Sequence, residues 1–138
     1  MIKSKTSYWL EMCDDDFITA KVMLDAKRLL WVGFICHIIV EKALKAVISE
    51  KTNEIPPKIH DLKTLAKRGG LMGELSDKHL DLLEKLNPLQ IEARYPEYKG
   101  KISATLTTEI CQKLYNETGG FLCWIKQKLG ELPKDTQM

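Results

Sequence analysis

Three side chains that could move protons or bind a charged ligand stand four residues apart in the most apolar stretch of the sequence. His37, Glu41 and Lys45 carry an imidazole, a carboxylate and an ammonium group, and Gly33 and Ser49 continue the same spacing. Residues four apart lie nearly above one another on an α-helix, so these five form a polar ribbon along one face. Glu41 and Lys45 also have the spacing and order that favour an ion pair.

Burying the polar ribbon without partners would cost several kcal/mol, which leaves two interpretations open. In the first, the ribbon is an internal network whose members satisfy one another, or a polar edge at the protein surface. In the second, it is the wall of a cleft that binds a polar ligand. Gly33 would allow a neighbouring helix or a ligand to come close.

A second candidate group lies in the segment ARYPEYKGK, which carries Arg94, Tyr95, Tyr98 and Lys99. A guanidinium group binds phosphate in a fork geometry, and aromatic rings stack on bases, so the segment could hold a nucleotide. The alternative is structural. Arg94 would then cap carbonyl groups at a helix end, and Tyr95 would pack its ring beside the turn at Pro96.

His60 and Asp61 follow a segment with two adjacent prolines. The two residues could form a polar site together. We favour the interpretation in which Asp61 caps the following helix and His60 orders the loop.

No residue pattern predicts a metal site or a cofactor. Successive helical residues point about 100° apart, so the three aspartates at 14–16 cannot converge on one ion and predict a solvated acidic face. The four cysteines contain no CxxC pair. We expect buried free thiols in a reducing cytoplasm rather than zinc ligands or a secreted disulfide framework.

The composition fits one domain, residues 1–138, with a formal net charge of only +2. This charge argues against a protein that holds long nucleic acid by bulk electrostatics. The first residues meet charged side chains too early for a secretory signal. Residues 29–48 have the length of a membrane helix, but the charges at Glu41, Lys42 and Lys45 would be expensive in lipid. We expect a cytoplasmic protein without a membrane span.

The helical period recurs along the whole chain and predicts an all-α protein, an up-and-down bundle of four long helices plus one short helix. The first helix should begin near Thr6 or Ser7, with either residue as its cap. The second, residues 29–51, should be central. Asp61 should cap the short third helix. Ser76 should cap the fourth, which Pro88 should interrupt.

The last helix should cover residues 104–129. Gly119 and Gly120 in its interior predict a kink or the close approach of another helix.

Several motifs, in their order and spacing, resemble those of the HEPN domain family: DDFITAKVML (15–24), VEKALKAVI (40–48), HDLKTL (60–65), ARYP (93–96) and WIKQKL (124–129). The resemblance covers nearly the whole chain. It implies a helical bundle that forms homodimers and associates with nucleotides or RNA. It also implies a partner, a minimal nucleotidyltransferase, in pairs that act as toxin and antitoxin.

Active nucleases of this family carry an Arg followed by a His after four to six residues, and they work without metal. This sequence departs from that pattern. Arg28 and His37 have eight residues between them, Arg68 and His79 have ten, and no histidine follows Arg94. The departure disfavours enzymatic activity.

Three functions remain. The first, which we favour, is a homodimeric binding module for a nucleotide, an RNA or a nucleotidyltransferase. The second is a metal-independent endoribonuclease with a divergent site, in which Arg94 would work with His37 or His60. The third is an assembly protein whose polar ribbon serves only a subunit interface.

Overall fold

The computed structural model describes residues 2–92 and 105–131, and this part of the chain contains helices and no strand. The helices follow in the order α1 (Ser4–Asp25), α2 (Leu29–Lys51), α3 (Leu62–Arg68), α4 (Asp77–Leu86), α5 (Leu89–Glu92) and α6 (Thr108–Glu131). The prediction of an all-α bundle is confirmed. None of these helices is long and apolar enough to cross a membrane.

Helix α2 is the centre of the bundle, as predicted, and its bounds agree with the predicted 29–51. It contacts each of the other five helices described above. Apolar side chains are therefore buried around most of its circumference, and Val32, Ile39, Val40 and Leu44 are all 0% exposed. Each such side chain contributes about 1.5–3 kcal/mol of hydrophobic stabilisation.

Helix α1 begins at Ser4, so the prediction that Thr6 or Ser7 caps it is wrong. The N-cap residue is Lys3, whose side chain makes no capping hydrogen bond. Thr6 cannot cap the helix because its hydroxyl is buried and donates to Glu50 Oε1 of α2 at 2.8 Å.

A tight turn joins α1 to α2 and makes them antiparallel neighbours. Lys27 has a φ of 59°, the left-handed conformation that commonly ends helices. The Arg28 N–H donates to the Met23 carbonyl at 2.8 Å, and the Lys27 N–H donates to the Leu24 carbonyl at 3.0 Å. These bonds satisfy carbonyl groups that the end of a helix otherwise leaves free.

The predicted caps of α3 and α4 are confirmed. Asp61 accepts from the Thr64 N–H at 2.9 Å, and Ser76 accepts from the His79 N–H at 3.1 Å. Helix α4 ends two residues before Pro88, and the short α5 follows it. This interruption leaves α4 with 10 residues, whereas α1, α2 and α6 have 22, 23 and 24.

All four cysteines are free thiols. Cys13, Cys36 and Cys111 are buried as predicted, and burial raises their pKa to about 12, 12 and 11. Cys123 is exposed, which corrects the prediction for this residue. It lies on the side of α6 where Gly120, Lys126 and Gln127, about one turn away in either direction, are also exposed.

The acidic run on α1 pairs with lysines of neighbouring helices. Asp14 Oδ1 lies 2.6 Å from Lys126 Nζ of α6, and Asp16 Oδ2 lies 2.7 Å from Lys42 Nζ of α2. Asp14 and Asp15 are exposed, as predicted for a solvated face.

Helix α6 begins four residues later than predicted, and its glycine pair marks a close contact with α1. A Cβ atom added at Gly119 would lie 2.8 Å from Cζ of Phe17. The Phe17 ring also stacks on Tyr115, with a centroid separation of 4.5 Å and an interplanar angle of 7°. Gly120 faces open space, with no atom within 4 Å of an added Cβ.

We therefore expect Gly119→Ala and Gly120→Ala to differ in stability. Both variants gain about 1 kcal/mol of helix propensity. Only Gly119→Ala forces the ring of Phe17 away from its stack, an overpacking that typically costs about 1–3 kcal/mol. Urea unfolding should find Gly120→Ala more stable than the original chain, and more stable than Gly119→Ala by about 1–3 kcal/mol. Equal stabilities would contradict the close contact.

Candidate functional site

The polar ribbon of α2 lies inside the bundle rather than on its surface. His37, Glu41, Lys45 and Ser49 are exposed by 0%, 9%, 7% and 4%. The space beside Gly33, at the head of the ribbon, is filled by a neighbouring side chain, because an added Cβ there would lie 2.8 Å from Leu89 Cδ1. The head of the ribbon is thus closed by α5 and not by a ligand.

Glu41 is the centre of a hydrogen-bonded network that includes Lys45 of this ribbon. Its Oε2 accepts from Lys45 Nζ at 2.9 Å, which confirms the predicted ion pair. Both of its carboxylate oxygens lie 3.1 Å from Nδ1 of His60. Lys45 Nζ also lies 5.9 Å from the centroid of the Trp9 ring. The carboxylate therefore has an ammonium and an imidazole as partners, which is what a buried anion requires.

His37 is sealed and cannot touch a ligand. Its Nδ1 lies 3.6 Å from Glu41 Oε1, too far for a hydrogen bond, and neither ring nitrogen has a partner in the described part of the chain. Burial lowers the pKa of His37 to about 4, although the Glu41 carboxylate acts in the opposite direction. The imidazole is therefore neutral at neutral pH.

His60 is the member of the network that reaches solvent, with its side chain 52% exposed. It lies in the loop between α2 and α3, at the edge of an open groove of about 520 Å³. The groove is lined by polar side chains of α3 and of the α4–α5 region, together with one proline: Asp61, Lys63, Glu84, Asn87, Pro88 and Gln90. The Glu41 carboxylate and the groove thus share one imidazole.

One wall of this groove is held by Asn87, the residue after α4. Its Nδ2 donates to Asp61 Oδ1 at 2.7 Å, and its Oδ1 accepts from the Leu62 N–H at 3.0 Å. Hydrogen bonds from Asn87 and Thr64 hold the pKa of Asp61 below its usual range. Asp61 is therefore an ionised helix cap, as favoured above, and it pairs with Asn87 rather than with His60.

The groove also carries a weak ion pair. Lys63 Nζ lies 3.3 Å from Glu84 Oε1, and both side chains are substantially exposed, at 42% and 62%. Exposed pairs of this kind typically contribute about 0–1 kcal/mol. Lys63 can therefore exchange its partner for a ligand anion at small cost.

Sequence reasoning selected three residues that the structure joins in the network, Glu41, Lys45 and His60, and a fourth, His37, that lies beside it without a hydrogen bond. It missed Lys63 and Asn87, which the chain brings to the groove from different helices. A proline directly after Asn87 was the one available signal, because it marked a helix end. The predicted candidates Arg94, Tyr95 and Tyr98, with Lys99, lie outside the described residues.

The sequence of the chain matches one protein family. The sequence model of the HEPN domain matches residues 6–129 of the 138-residue chain. The chain belongs to the HEPN domain family. No curated protein and no solved structure gives a significant match.

The histidines of this HEPN domain are dispersed. His79 does not approach the Glu41 network. Its ring packs against Trp124 and Phe121 of α6, with centroid separations of 4.5 and 5.3 Å. His60 is thus the one histidine that combines exposure with a carboxylate partner, since all three histidines of the chain are described.

The state of His37 makes stability depend on pH. The folded chain resists protonation of this residue down to about pH 4, whereas an unfolded histidine binds a proton near pH 6.5. The unfolded state therefore binds more protons in this window, and stability falls as the pH is lowered from 6.5 to 4, by up to about 1.4 kcal/mol per pH unit.

We expect His37→Leu to remove this component. Urea unfolding measured across this window should give a shallower loss of stability for the variant than for the original chain. Parallel curves would contradict a neutral His37 in the folded state.

Proposed function

We propose that this HEPN domain is a binding module whose ligand is a nucleotide or an RNA segment, held in the groove beside His60. The observation that carries the proposal is the half-exposed imidazole of His60, fixed from behind by the Glu41 carboxylate. A pre-positioned imidazole at an open groove loses little conformational entropy when a ligand binds. The volume of about 520 Å³ lies in the range of small-molecule sites.

The chemistry of the groove suits a phosphate joined to a base or a ribose. Lys63 would contact phosphate oxygens, beside the imidazole of His60. The side-chain amides of Asn87 and Gln90 offer donors and acceptors to a base or to sugar hydroxyls. Arg94 remains a candidate for the same site on sequence grounds, with Tyr95 and Tyr98, because three residues separate it from Gln90.

We also propose that the module works as a homodimer, with a nucleotidyltransferase as its protein partner in a toxin–antitoxin-like pair. The family resemblance supports this part. Two apolar side chains one turn apart on α1, Ile18 and Val22, are 66% and 58% exposed, and such a surface suits a protein contact. We propose a cytoplasmic location, supported by the four free cysteines.

We expect the melting temperature to rise when a nucleotide or RNA is added. A ligand at a hundred times its Kd stabilises the folded state by about 2.7 kcal/mol, which shifts the melting temperature by several degrees. Scanning fluorimetry with mononucleotides, dinucleotides and a short RNA measures this shift. No shift with any of these ligands would contradict the proposal.

Variants of the groove locate the site. His60→Ala and Lys63→Ala should each reduce the shift. Lys21→Ala is the matched control, because Lys21 is exposed on α1 and pairs only with Asp25 of the same helix, at 2.6 Å. It should leave the shift unchanged.

One observation favours a second function, a metal-independent endoribonuclease. The Glu41 carboxylate accepts from Nδ1–H of His60 and thereby favours the tautomer in which Nε2 is the free base. Such a nitrogen could take the proton of a ribose 2′-hydroxyl, whose oxygen would attack the adjacent phosphorus and release the 5′-oxygen. Water in the open groove would protonate the leaving 5′-oxygen, and Arg94 or Lys63 would stabilise the phosphate charge.

The second function predicts cleavage of RNA in the presence of a chelator. We expect His60→Gln to lower the rate at least about a hundredfold, the usual contribution of a general base. His79→Phe should keep the rate, because His79 packs against aromatic rings away from the groove. A mixed RNA pool left intact by the original chain would rule this function out and leave the binding proposal standing.

A further inference from the structure

Two adjoining cavities lie at the other end of the polar ribbon, where the start of α1 meets the end of α2. Their volumes are about 390 and 260 Å³. Both are lined by Ser4, Lys5 and Ser49, so they adjoin, and we treat them as two halves of one site, the Ser49 site. Ser49 follows Glu41 by eight residues, or roughly 12 Å along α2, and no residue of the groove beside His60 lines this site.

The Ser49 side chain is almost entirely buried, and its hydroxyl lacks a partner. The residue is 4% exposed, it lines both halves of the site, and its Oγ makes no hydrogen bond with any described residue. Thr52, one turn later, differs, because its hydroxyl donates back to the Ile48 carbonyl at 2.9 Å. The Ser49 Oγ is not one of the sealed unpaired atoms of the described residues, so it faces this space and is free to donate to a ligand atom there.

The start of α1 contributes positive charge to the same place. Its N-cap residue, Lys3, makes no side-chain capping bond, and the first N–H that finds a backbone acceptor is that of Ser7, 3.0 Å from the Lys3 carbonyl. The N–H groups of Ser4 and Lys5 therefore lack intrahelical acceptors, at the positive end of a 22-residue helix. The Lys5 ammonium group has no hydrogen bond or ion pair within the described ranges.

Acidic groups do not occupy this space. The residues that line the two halves include Lys3 and Lys5 and no carboxylate. The nearby Glu50 is engaged at the start of α1, because its Oε1 accepts from the Thr6 hydroxyl at 2.8 Å and from the Lys3 N–H at 2.9 Å. The Ser4 and Lys5 N–H groups, the Lys5 ammonium and the Ser49 hydroxyl are the donors that remain for an anion entering the site.

The larger half of the site has apolar walls suited to a flat ring. It is lined by Tyr8 and Trp9 of α1 and by Ile55 and Pro56 of the loop after α2. Tyr8 is 62% exposed and Ile55 is 81% exposed, so a ring can enter from solvent. Aromatic faces that pack on an apolar ring contribute about 0.5–1.5 kcal/mol beyond the area they bury.

We propose that the Ser49 site binds a small aromatic anion, a ligand in which one flat ring is joined to a phosphate or carboxylate group. The ring packs between Trp9 and Pro56. The anionic group accepts from the Ser49 hydroxyl, the Lys5 ammonium and the first N–H groups of α1. This site does not depend on the groove beside His60, and either can exist without the other.

The test uses probes that separate ring from anion in the full chain: phenyl phosphate, benzoate, inorganic phosphate and phenol. Backbone amide NMR titrations should give shifts at Ser4, Lys5 and Ser49 with millimolar phenyl phosphate or benzoate. We expect the better of these two probes to bind at least about tenfold more tightly than phosphate or phenol alone, because both halves of the site contribute. The preferred anion identifies phosphate or carboxylate as the natural group.

Ser49→Ala is the decisive variant, since it removes an unpartnered hydroxyl and should not weaken the fold. We expect it to reduce the affinity for the better probe about tenfold, the size of one hydrogen bond to a charged group. Lys5→Gln should act in the same direction, whereas Lys21→Gln on the same helix and His60→Ala in the groove should bind the probe unchanged.

Two results would overturn the proposal. The first is the absence of amide shifts at the Ser49 site with both ring-bearing anions. The second is an unchanged affinity in Ser49→Ala.

Discussion

The carboxylate of Glu41 lies on the most enclosed helix of the bundle, and a buried anion is tolerated only when cations and donors reach it. Lys45 supplies one partner from the same helix, one turn away. The second partner, His60, must come from outside α2, so the chain after α2 has to fold back along it. The neighbouring Asp61 then caps α3 and accepts from Asn87 at the end of α4. Two consecutive residues thus fix the loop to the centre of the bundle and to its edge.

This constraint explains why an internal network and a surface groove occur together. Glu41 and Lys45 of the polar ribbon satisfy each other internally, which agrees with the first of the two interpretations of its sequence, whereas the His37 ring has no partner in the described residues. His60, outside the ribbon, pairs with the buried carboxylate and still has half of its side chain in solvent. The imidazole of His60 is therefore the one contact between the groove and the Glu41 carboxylate among the described residues. His37, with its Nδ1 3.6 Å from the same carboxylate, stays sealed and neutral.

Sequence reasoning predicted the fold well where one physical rule acts alone. The continuous apolar periodicity of α2 gave its bounds, and the side-chain oxygens of Asp61 and Ser76 gave two helix starts. It failed at α1, because Thr6 has the chemistry of a cap but uses its hydroxyl on Glu50, 44 residues away.

The candidate site was harder to predict, because its parts come from distant positions. The four-residue spacing revealed Glu41 and Lys45. The contact of His60 with Glu41 joins residues 19 apart, and the bond of Asn87 to Asp61 joins residues 26 apart. No local pattern encodes such pairs, because they depend on how the loop after α2 packs. The unpartnered hydroxyl of Ser49 is a similar case, since only the packed structure distinguishes it from the bonded hydroxyl of Thr52.

The contrast among the four thiols gives the molecule a natural attachment point for a chemical probe. Alkylating reagents react with thiolates, and three of the sulfur atoms are both enclosed and held in the protonated form. Cys123 stands on the outer face of α6, so a maleimide dye should modify the native chain once, without any engineered cysteine. Its neighbour Trp124, which packs against His79, would serve as an energy donor or quencher for that dye.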